Sequence, residues 1–155
     1  MREVLFICTG NYYRSRFAEA VFNHGAEQRG LDWRAFSRGL ATHLVDGQGD
    51  ISLHTRVALV ARGIPLRYAA TKPTPLTRPD LERAARIIAL KELEHRAMMR
   101  AQFPDWENRV EYWKVHDLDA ATPDQAIPGL ELLVRRLLDS VASTKPPSPA
   151  SARES

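Results

Sequence analysis

The sequence has little of several residue types. Its 155 residues include a single cysteine, Cys8, and only four lysines. One thiol cannot form an intramolecular disulfide or an all-cysteine metal site, so it serves either packing or chemistry. Apolar runs such as 4–7 and 87–90 are far shorter than the roughly 20 residues that cross a bilayer, and no signal-peptide hydrophobic region opens the chain. These absences predict a cytoplasmic protein with no membrane partner.

The positive charge of the chain comes largely from arginine, and the formal net charge is +3 at pH 7. A mild excess of positive charge suits anionic substrates, but an arginine-rich composition also follows from genome bias. The basic residues are dispersed along the chain and no recognition motif accompanies them, so we expect no nucleic-acid partner.

Strand and helix patterns alternate along the chain. The continuous apolar run Val4–Ile7 is typical of a strand buried on both faces in a parallel sheet. Further strands are predicted at 32–37, 86–90 and 110–115, and helices from Ser15, Leu53, Pro79, Glu92 and Leu130. Strand followed by helix, repeated about four times, predicts a doubly wound α/β fold with three layers.

Glycine and proline mark where several of these elements end. The first helix is predicted to end near Gly25 or Gly30, and the second, marked by Leu53, Val57 and Val60, to close at a left-handed Gly63. Residues 73–79 hold three prolines and predict an irregular connection. Residues 1–142 form the predicted domain, and residues 143–155, rich in serine, proline and alanine, a disordered tail.

The turn between the first strand and the first helix carries the chemistry. It reads Cys8-Thr9-Gly10-Asn11-Tyr12-Tyr13-Arg14-Ser15, with five residues between the cysteine and the arginine. Ligands bind at the carboxyl ends of parallel strands, and a helix N-terminus attracts phosphate through its free N–H groups and its dipole. A free cysteine that ends a strand is more often a small core residue, but this combination predicts a phosphate-binding loop.

Individual side chains of this loop suit phosphate chemistry. The field of the helix N-terminus favours a thiolate at Cys8, and Ser15 can donate a hydrogen bond to that thiolate. Arg14 offers a planar fork of donors to two phosphate oxygens. Gly10 permits close backbone approach and Asn11 tolerates a left-handed conformation, so both help to curl the loop around an anion.

The aromatic pair in the loop is unusual. One hypothesis places Tyr12 beside the cleft, where it contacts an aromatic leaving group. A buried structural tyrosine is an equally good interpretation.

The stretch from Val4 to Asn11, followed by Arg14-Ser15 and Ala18-Glu19-Ala20, closely resembles the opening of the low-molecular-weight protein tyrosine phosphatases. Weaker similarity continues through 37–39, 63–64 and 113–117. The resemblance implies a four-stranded parallel sheet and a phosphatase that needs no metal or organic cofactor. It implies Cys8 as nucleophile and Arg14 as phosphate clamp, with a substrate loop formed by Thr9, Gly10, Asn11, Tyr12, Tyr13, Arg14 and Ser15.

The resemblance also implies an aspartate that acts as general acid. By its place after the last predicted strand, Asp117 matches this residue, although Leu118 stands where the family usually has proline. Asp119 is the rival donor, and His116 can also supply a proton. The plain alternatives for either aspartate are a solvated loop carboxylate and a residue favoured near the N-terminus of a following helix around Pro123.

Two further positions depart from the family pattern. Tyr13 replaces a second cysteine that forms a protective disulfide in some members, so that redox switch is lost here. Tyr68 stands where some relatives have a histidine that supports the loop asparagine, which leaves the partner of Asn11 open.

The function predicted from the sequence is hydrolysis of phosphate monoesters through a phosphocysteine at Cys8, with phosphotyrosine in proteins or small aryl phosphates as substrates. Two alternatives remain: an arsenate reductase that uses an external thiol, and a non-catalytic module that binds phosphate or phosphotyrosine. A cysteine protease is disfavoured because no matching signature surrounds Cys8. The sequence leaves the oligomeric state open.

Overall fold

Four parallel strands form a single sheet in the order β2-β1-β3-β4. The computed structural model describes residues 1–113 and 123–143, with side chains in the second range from residue 126 onward. The strands are β1 (Arg2–Cys8), β2 (Trp33–Gly39), β3 (Arg86–Ala89) and β4 (Glu111–Tyr112). The chain moves from β1 to one neighbour and then crosses to the other side, so the carboxyl end of β1 is a topological switch point.

Five α-helices accompany the sheet in the described part of the chain: α1 (Arg14–Gln28), α2 (Leu53–Ala61), α3 (Arg78–Arg83), α4 (Glu92–Gln102) and α5 (Pro123–Ser143). Short 3₁₀ turns occupy 42–45, 66–68 and 104–109. Within the described ranges, no helix is long and apolar enough to span a membrane.

The two faces of β1 lie in two separate apolar cores. Val4 and Phe6 pack with α1, α2 and α5, whereas Leu5 and Ile7 pack with α3, α4 and the 3₁₀ turn before β4. All four side chains are fully buried, as expected for a strand covered on both faces. The predicted three-layer doubly wound fold with a four-stranded parallel sheet is confirmed.

The first helix runs through one of the two glycines predicted to end it. Gly25 lies inside α1, where a Cβ atom would come within 2.6 Å of Leu138 Cδ1, so the glycine allows α1 and α5 to pack closely. The helix ends at Gln28, and Gly30 follows with a φ of 63°. The predicted end near Gly30 is confirmed, and the one near Gly25 is wrong.

The second helix forms where it was predicted but buries a different face. Leu53, Val57 and Val60 are exposed, whereas Thr55, Ala58 and Leu59 are buried. Gly63 adopts the predicted left-handed conformation, with a φ of 66°. Spacing alone predicted the helix, but the choice of buried face depends on how α2 packs against the rest of the fold.

Most of the remaining boundaries lie within two residues of the predictions. The exceptions are α5, which begins at Pro123 and not at the apolar stripe from Leu130, and β4, which covers Glu111–Tyr112 of the predicted 110–115, the last two of which lie outside the described residues. Pro79 lies in the first turn of α3, and the connection before it is irregular, as expected. β2 continues two residues beyond the predicted end. Ser143 is the last residue of α5, one position into the predicted tail, and the rest of that tail lies outside the described residues.

Candidate active site

The loop 8–15 lies at the carboxyl end of the central strand, directly before α1. Cys8 is the last residue of β1 and pairs in register with Gly39 at the end of β2. A Cβ atom on Gly39 would lie 2.8 Å from the Thr9 carbonyl oxygen and 3.0 Å from Asn11 Cβ. Only glycine therefore lets β2 approach the loop this closely without displacing it.

Two donors converge on the sulfur of Cys8. The Asn11 backbone N–H points at Sγ from 3.2 Å, and Ser15 Oγ lies 2.8 Å from Sγ. Cys8 is 7% exposed, and Ser15 is fully buried at the first turn of α1. Two donors at the sulfur, together with the N-terminal end of a helix, lie where a cysteine nucleophile carries its negative charge.

The hydrogen bonds around Asn11 have a defined direction. The Thr74 backbone N–H donates to the side-chain oxygen of Asn11 at 2.9 Å, which identifies Nδ2 as the donor group. Nδ2 then donates to Ser15 Oγ at 2.8 Å and to Ser37 Oγ at 2.9 Å. Because Ser15 Oγ accepts from Asn11, its own hydroxyl hydrogen is free to point at Cys8.

These contacts identify the partner of Asn11 that the sequence left open. Ser37 and Thr74 hold the Asn11 amide, and Asn11 has the left-handed backbone expected of it, with a φ of 52°. The Tyr68 hydroxyl instead donates to Glu27 and accepts from Arg67, away from the loop. Tyr68, at the position of the supporting histidine in some relatives, therefore does not hold the Asn11 side chain.

The network continues inward to a buried carboxylate. Ser37 Oγ donates to Glu19 Oε1 at 2.5 Å. Burial raises the pKa of Glu19, while the hydrogen bond from Ser37 and the charges of Arg16 and Arg38 oppose that rise. The path from Cys8 through Ser15, Asn11 and Ser37 to Glu19 thus ties the loop to α1 and β2.

A buried arginine holds the outer side of the loop. Arg16 is 1% exposed, and its guanidinium donates to the carbonyl oxygens of Asn11 at 3.3 Å, Asp50 at 2.8 Å and Ala70. Burial lowers the pKa of Arg16, and the nearby carboxylate of Glu19 is the strongest opposing influence. Arg16 fixes the loop against the two connections that follow β2 and α2.

A cavity of about 210 Å³ opens above Cys8. Its lining contains six of the residues predicted for the site, Cys8, Thr9, Gly10, Tyr12, Tyr13 and Arg14, together with Val45 and Glu94. Asn11 and Ser15 are fully buried behind this surface, so their side chains organise the loop and do not line the cavity.

The two tyrosines hold the loop to its surroundings in different ways. The Tyr12 hydroxyl donates to the Gln48 carbonyl oxygen at 2.6 Å, and the Tyr12 carbonyl accepts from the Ser52 N–H at 3.0 Å. Tyr13 packs edge-on against His54, with ring centroids 6.2 Å apart. Tyr12 therefore combines a structural contact with a place in the cavity wall, which leaves both interpretations of this residue standing.

The predicted acids cannot be located by the structure. Asp117, its rival Asp119, and His116 all lie outside the described residues. β4, which leads toward them, pairs in parallel with β3 through Tyr112 and Ala89. The general acid remains a prediction from the family resemblance.

A larger depression of about 630 Å³ lies elsewhere on the molecule. Its lining includes Glu19, Asn23, Glu27, Arg67 and Tyr68 but no thiol. Volume alone does not identify the site, because the nucleophile and the loop that can hold an anion are both at the smaller cavity.

Several residues that shape the site were missed by sequence reasoning. They are Arg16, Ser37, Thr74, Glu94 and His95. All but Arg16 are remote from the loop in the chain, so no local spacing connects them to Cys8. The similarity of 37–39 to the family was the one available signal, and it pointed to Ser37 without giving its role.

A parallel α/β sheet whose first strand-to-helix turn wraps a cysteine and an arginine around a small cavity defines a cysteine-dependent phosphatase. The chain belongs to the low molecular weight phosphotyrosine protein phosphatase family, whose model matches residues 3–129.

Known relatives agree with this assignment. A protein-arginine-phosphatase from Bacillus subtilis is 31% identical over 108 residues, covering 70% of this chain and 67% of the relative. A crystal structure of a YwlE mutant from Bacillus subtilis superposes with a TM-score of 0.74 and 27% identity, covering 92% and 99% of the two chains. An arsenate reductase from Staphylococcus xylosus is 40% identical over 63 residues, which cover 35% of this chain and 46% of the relative. The predicted phosphatase activity through a cysteine nucleophile is thereby confirmed, and the non-catalytic module is disfavoured.

Proposed function

We propose that the protein hydrolyses phosphotyrosine in proteins through a phosphocysteine at Cys8. The observation that carries the proposal is the position of Cys8 Sγ at the cavity, with Ser15 and Asn11 donating toward it. A sulfur held this way faces the cavity with two donors that stabilise its negative charge when it acts as a nucleophile. The single thiol, which can form no disulfide within the chain, favours action in a reducing compartment such as the cytoplasm.

In the first step, the Cys8 thiolate attacks phosphorus in line with the departing oxygen. The S–P bond forms as the P–O bond to the leaving group breaks, while Arg14 and the loop N–H groups hold the three remaining oxygens. Asp117 donates a proton to the leaving oxygen, and the product alcohol or phenol departs. Thr9, Gly10, Tyr12 and Tyr13 complete the wall around the phosphoryl group.

In the second step, water hydrolyses the phosphocysteine. Asp117, now ionised, accepts a proton from the water as its oxygen attacks phosphorus, and the S–P bond breaks to return the Cys8 thiolate. Inorganic phosphate leaves the loop. Only water and the phosphorylated substrate are consumed, and no metal or organic cofactor takes part.

Protein phosphoarginine is the second candidate substrate. The observation in its favour is the 31% identity to a relative named as a protein-arginine-phosphatase. The phosphocysteine step is common to both substrates, but with phosphoarginine the bond that breaks is P–N and the leaving group is a guanidine. An aromatic leaving group can in addition form a ring–ring contact with Tyr12 in the cavity wall. A guanidinium group can contact the same ring only through a cation–π interaction.

The deciding experiment compares two peptides of identical sequence, one with phosphotyrosine and the other with phosphoarginine at the same position. We expect kcat/KM to be higher for the phosphotyrosine peptide than for the phosphoarginine peptide. We also expect the ratio of these two kcat/KM values to be smaller in Tyr12→Ala than in the native protein. A higher kcat/KM for phosphoarginine would overturn the proposed substrate while leaving the phosphatase assignment intact. Arsenate-dependent oxidation of glutathione or thioredoxin, measured in the same preparation, tests the reductase alternative.

A further inference from the structure

The residue after the nucleophile is held by side chains of α4, on the far side of β1 from α1. Thr9 Oγ1 donates to Glu94 Oε1 at 2.5 Å and lies 3.2 Å from His95 Nε2. Glu94 Oε2 in turn accepts from Lys91 Nζ at 2.7 Å. His95 is 1% exposed and Glu94 lines the cavity, so this cluster lies directly beneath one wall of the site.

The backbone defines the direction of these hydrogen bonds. The Lys91 N–H donates to His95 Nδ1 at 3.1 Å, so Nδ1 carries no hydrogen and the ring proton of the neutral imidazole is on Nε2. Nε2–H then donates to Thr9 Oγ1, and the one hydroxyl hydrogen of Thr9 goes to Glu94. His95 thus satisfies the N–H group of Lys91, the residue that caps the N-terminus of α4, and with its other nitrogen holds Thr9.

The same residue is fixed from its other side by the backbone. The Thr9 carbonyl accepts from the Ala41 N–H at 2.8 Å, and the Cys8 carbonyl accepts from the Leu40 N–H at 3.0 Å. With its side chain held by α4 and its carbonyl by the segment after β2, the peptide between Thr9 and Gly10 has little freedom to rotate. A loop that binds phosphate through N–H groups depends on such fixed peptide planes.

We propose that His95 is a positioning residue for phosphoryl transfer, which acts by holding Thr9 so that the loop after Cys8 keeps its N–H groups directed at the phosphoryl group. His95 is absent from the cavity lining, so it acts through Thr9 and does not touch the substrate. The inference rests on the proposed phosphatase chemistry and adds α4 to the elements that organise the site.

Two substitutions separate the two nitrogens of His95. In His95→Asn, the side-chain oxygen can replace Nδ1 and still accept from the Lys91 N–H, but the shorter chain does not reach Thr9. In His95→Gln, the amide nitrogen can replace Nε2 and donate to Thr9. Thr9→Val and Thr9→Ser form a matched pair at the other end, because valine removes the hydroxyl while serine keeps it.

The measurement is steady-state kinetics with aryl phosphates of good and poor leaving groups, together with thermal unfolding of each variant. We expect His95→Asn and Thr9→Val to lower kcat by about tenfold for both kinds of leaving group, with a smaller change in KM. His95→Gln and Thr9→Ser should recover most of the loss. The double variant His95→Asn/Thr9→Val should be no slower than the slower single variant, since both remove the same contact.

Three outcomes would overturn the inference. One is a native kcat in both His95→Asn and Thr9→Val. Another is a loss of kcat that persists in His95→Gln and Thr9→Ser although both variants unfold at the same temperature as the native protein. The third is a loss confined to poor leaving groups, which would indicate an effect on proton donation. Failure of the native protein to turn over any aryl phosphate would contradict the proposed function itself, and so is distinguishable from all three.

Discussion

Removal of the Ser15 hydroxyl should make Cys8 a poorer nucleophile near neutral pH. The hydroxyl lies 2.8 Å from the sulfur, and the Asn11 N–H at 3.2 Å stays in place in Ser15→Ala. A hydrogen bond to a charged group contributes about 1.5–3 kcal/mol, and about 1.4 kcal/mol corresponds to a factor of ten. The thiolate fraction should therefore fall roughly ten- to hundredfold wherever the thiol form predominates.

Alkylation of Cys8 by iodoacetamide measures this effect directly, since the reaction requires the thiolate. Where the thiol form predominates, the Ser15→Ala variant should react several-fold more slowly than the native protein, because a more basic thiolate is also more nucleophilic and offsets part of the loss. At a pH high enough to ionise the thiol in both proteins, the variant should react as fast or faster. Loss of kcat/KM for an aryl phosphate should follow the loss at the lower pH.

Ser37→Ala is the matched control. This substitution removes Ser37 Oγ, which accepts the second hydrogen bond from the Asn11 side-chain amide and donates to Glu19, away from the Cys8 sulfur. We expect it to cost about 1–3 kcal/mol of folding stability, because Asn11 and Glu19 each lose a buried partner, while the alkylation profile stays close to native. A Ser15→Ala profile that matches the native one at every pH, or an equal change in Ser37→Ala, would show that the Ser15 hydroxyl does not stabilise the thiolate of Cys8.

Three further predictions concern other parts of the molecule. Alanine at either Gly25 or Gly129 gains up to roughly 1 kcal/mol of helix propensity, but a Cβ atom at Gly25 meets Leu138 Cδ1 at 2.6 Å whereas one at Gly129 meets nothing within 4 Å. In chemical denaturation Gly129→Ala should therefore stabilise by roughly 0.5–1 kcal/mol, and Gly25→Ala should be neutral or cost up to about 2 kcal/mol; equal effects would contradict the packing argument. Asp117→Asn should slow turnover of poor leaving groups more than good ones and Asp119→Asn should not, with the reverse pattern identifying Asp119 as the acid. Burial alone would raise the pKa of Glu94, but hydrogen bonds from Lys91 and Thr9 lower this pKa below its ordinary value. Ionised Glu94 therefore contributes its full share of folding stability above about pH 4.3, the ordinary pKa, and this share is lost as the pH falls through the lower pKa of the folded state. Glu94→Gln should thus lower the free energy of unfolding by less than about 1 kcal/mol at neutral pH, and this difference from the native protein should vanish when unfolding is measured at acid pH. A difference that persisted at low pH would show that it does not come from the charge of Glu94.

The parts of the fold and site that could be predicted are those encoded within a few consecutive residues. Val4–Ile7 is apolar at every position, which suffices to predict a strand covered on both faces, and the turn from Cys8 to Ser15 carries its nucleophile and its anion-binding helix end together. The left-handed Asn11 was predictable for the same reason, since the preference belongs to the residue itself.

The features that escaped prediction depend on contacts between distant segments. The apolar spacing of Leu53 and Val57 predicts a helix but not which face is buried, and the structure buries Leu59 instead. In the same way, nothing in the local sequence connects His95 to Thr9, because 86 positions separate them and only the placement of α4 beside β1 brings them together.

The proposed mechanism depends above all on Cys8 forming the covalent intermediate. The most direct test mixes native protein with para-nitrophenyl phosphate, quenches the reaction in acid during turnover, and locates the phosphoryl group by peptide mass spectrometry, with Cys8→Ala as the control. We expect one phosphoryl group on the peptide that contains Cys8, and a correctly folded Cys8→Ala variant that releases no phosphate. Phosphate release by Cys8→Ala, or a phosphoryl group on a different residue of the native protein, would contradict the proposed mechanism.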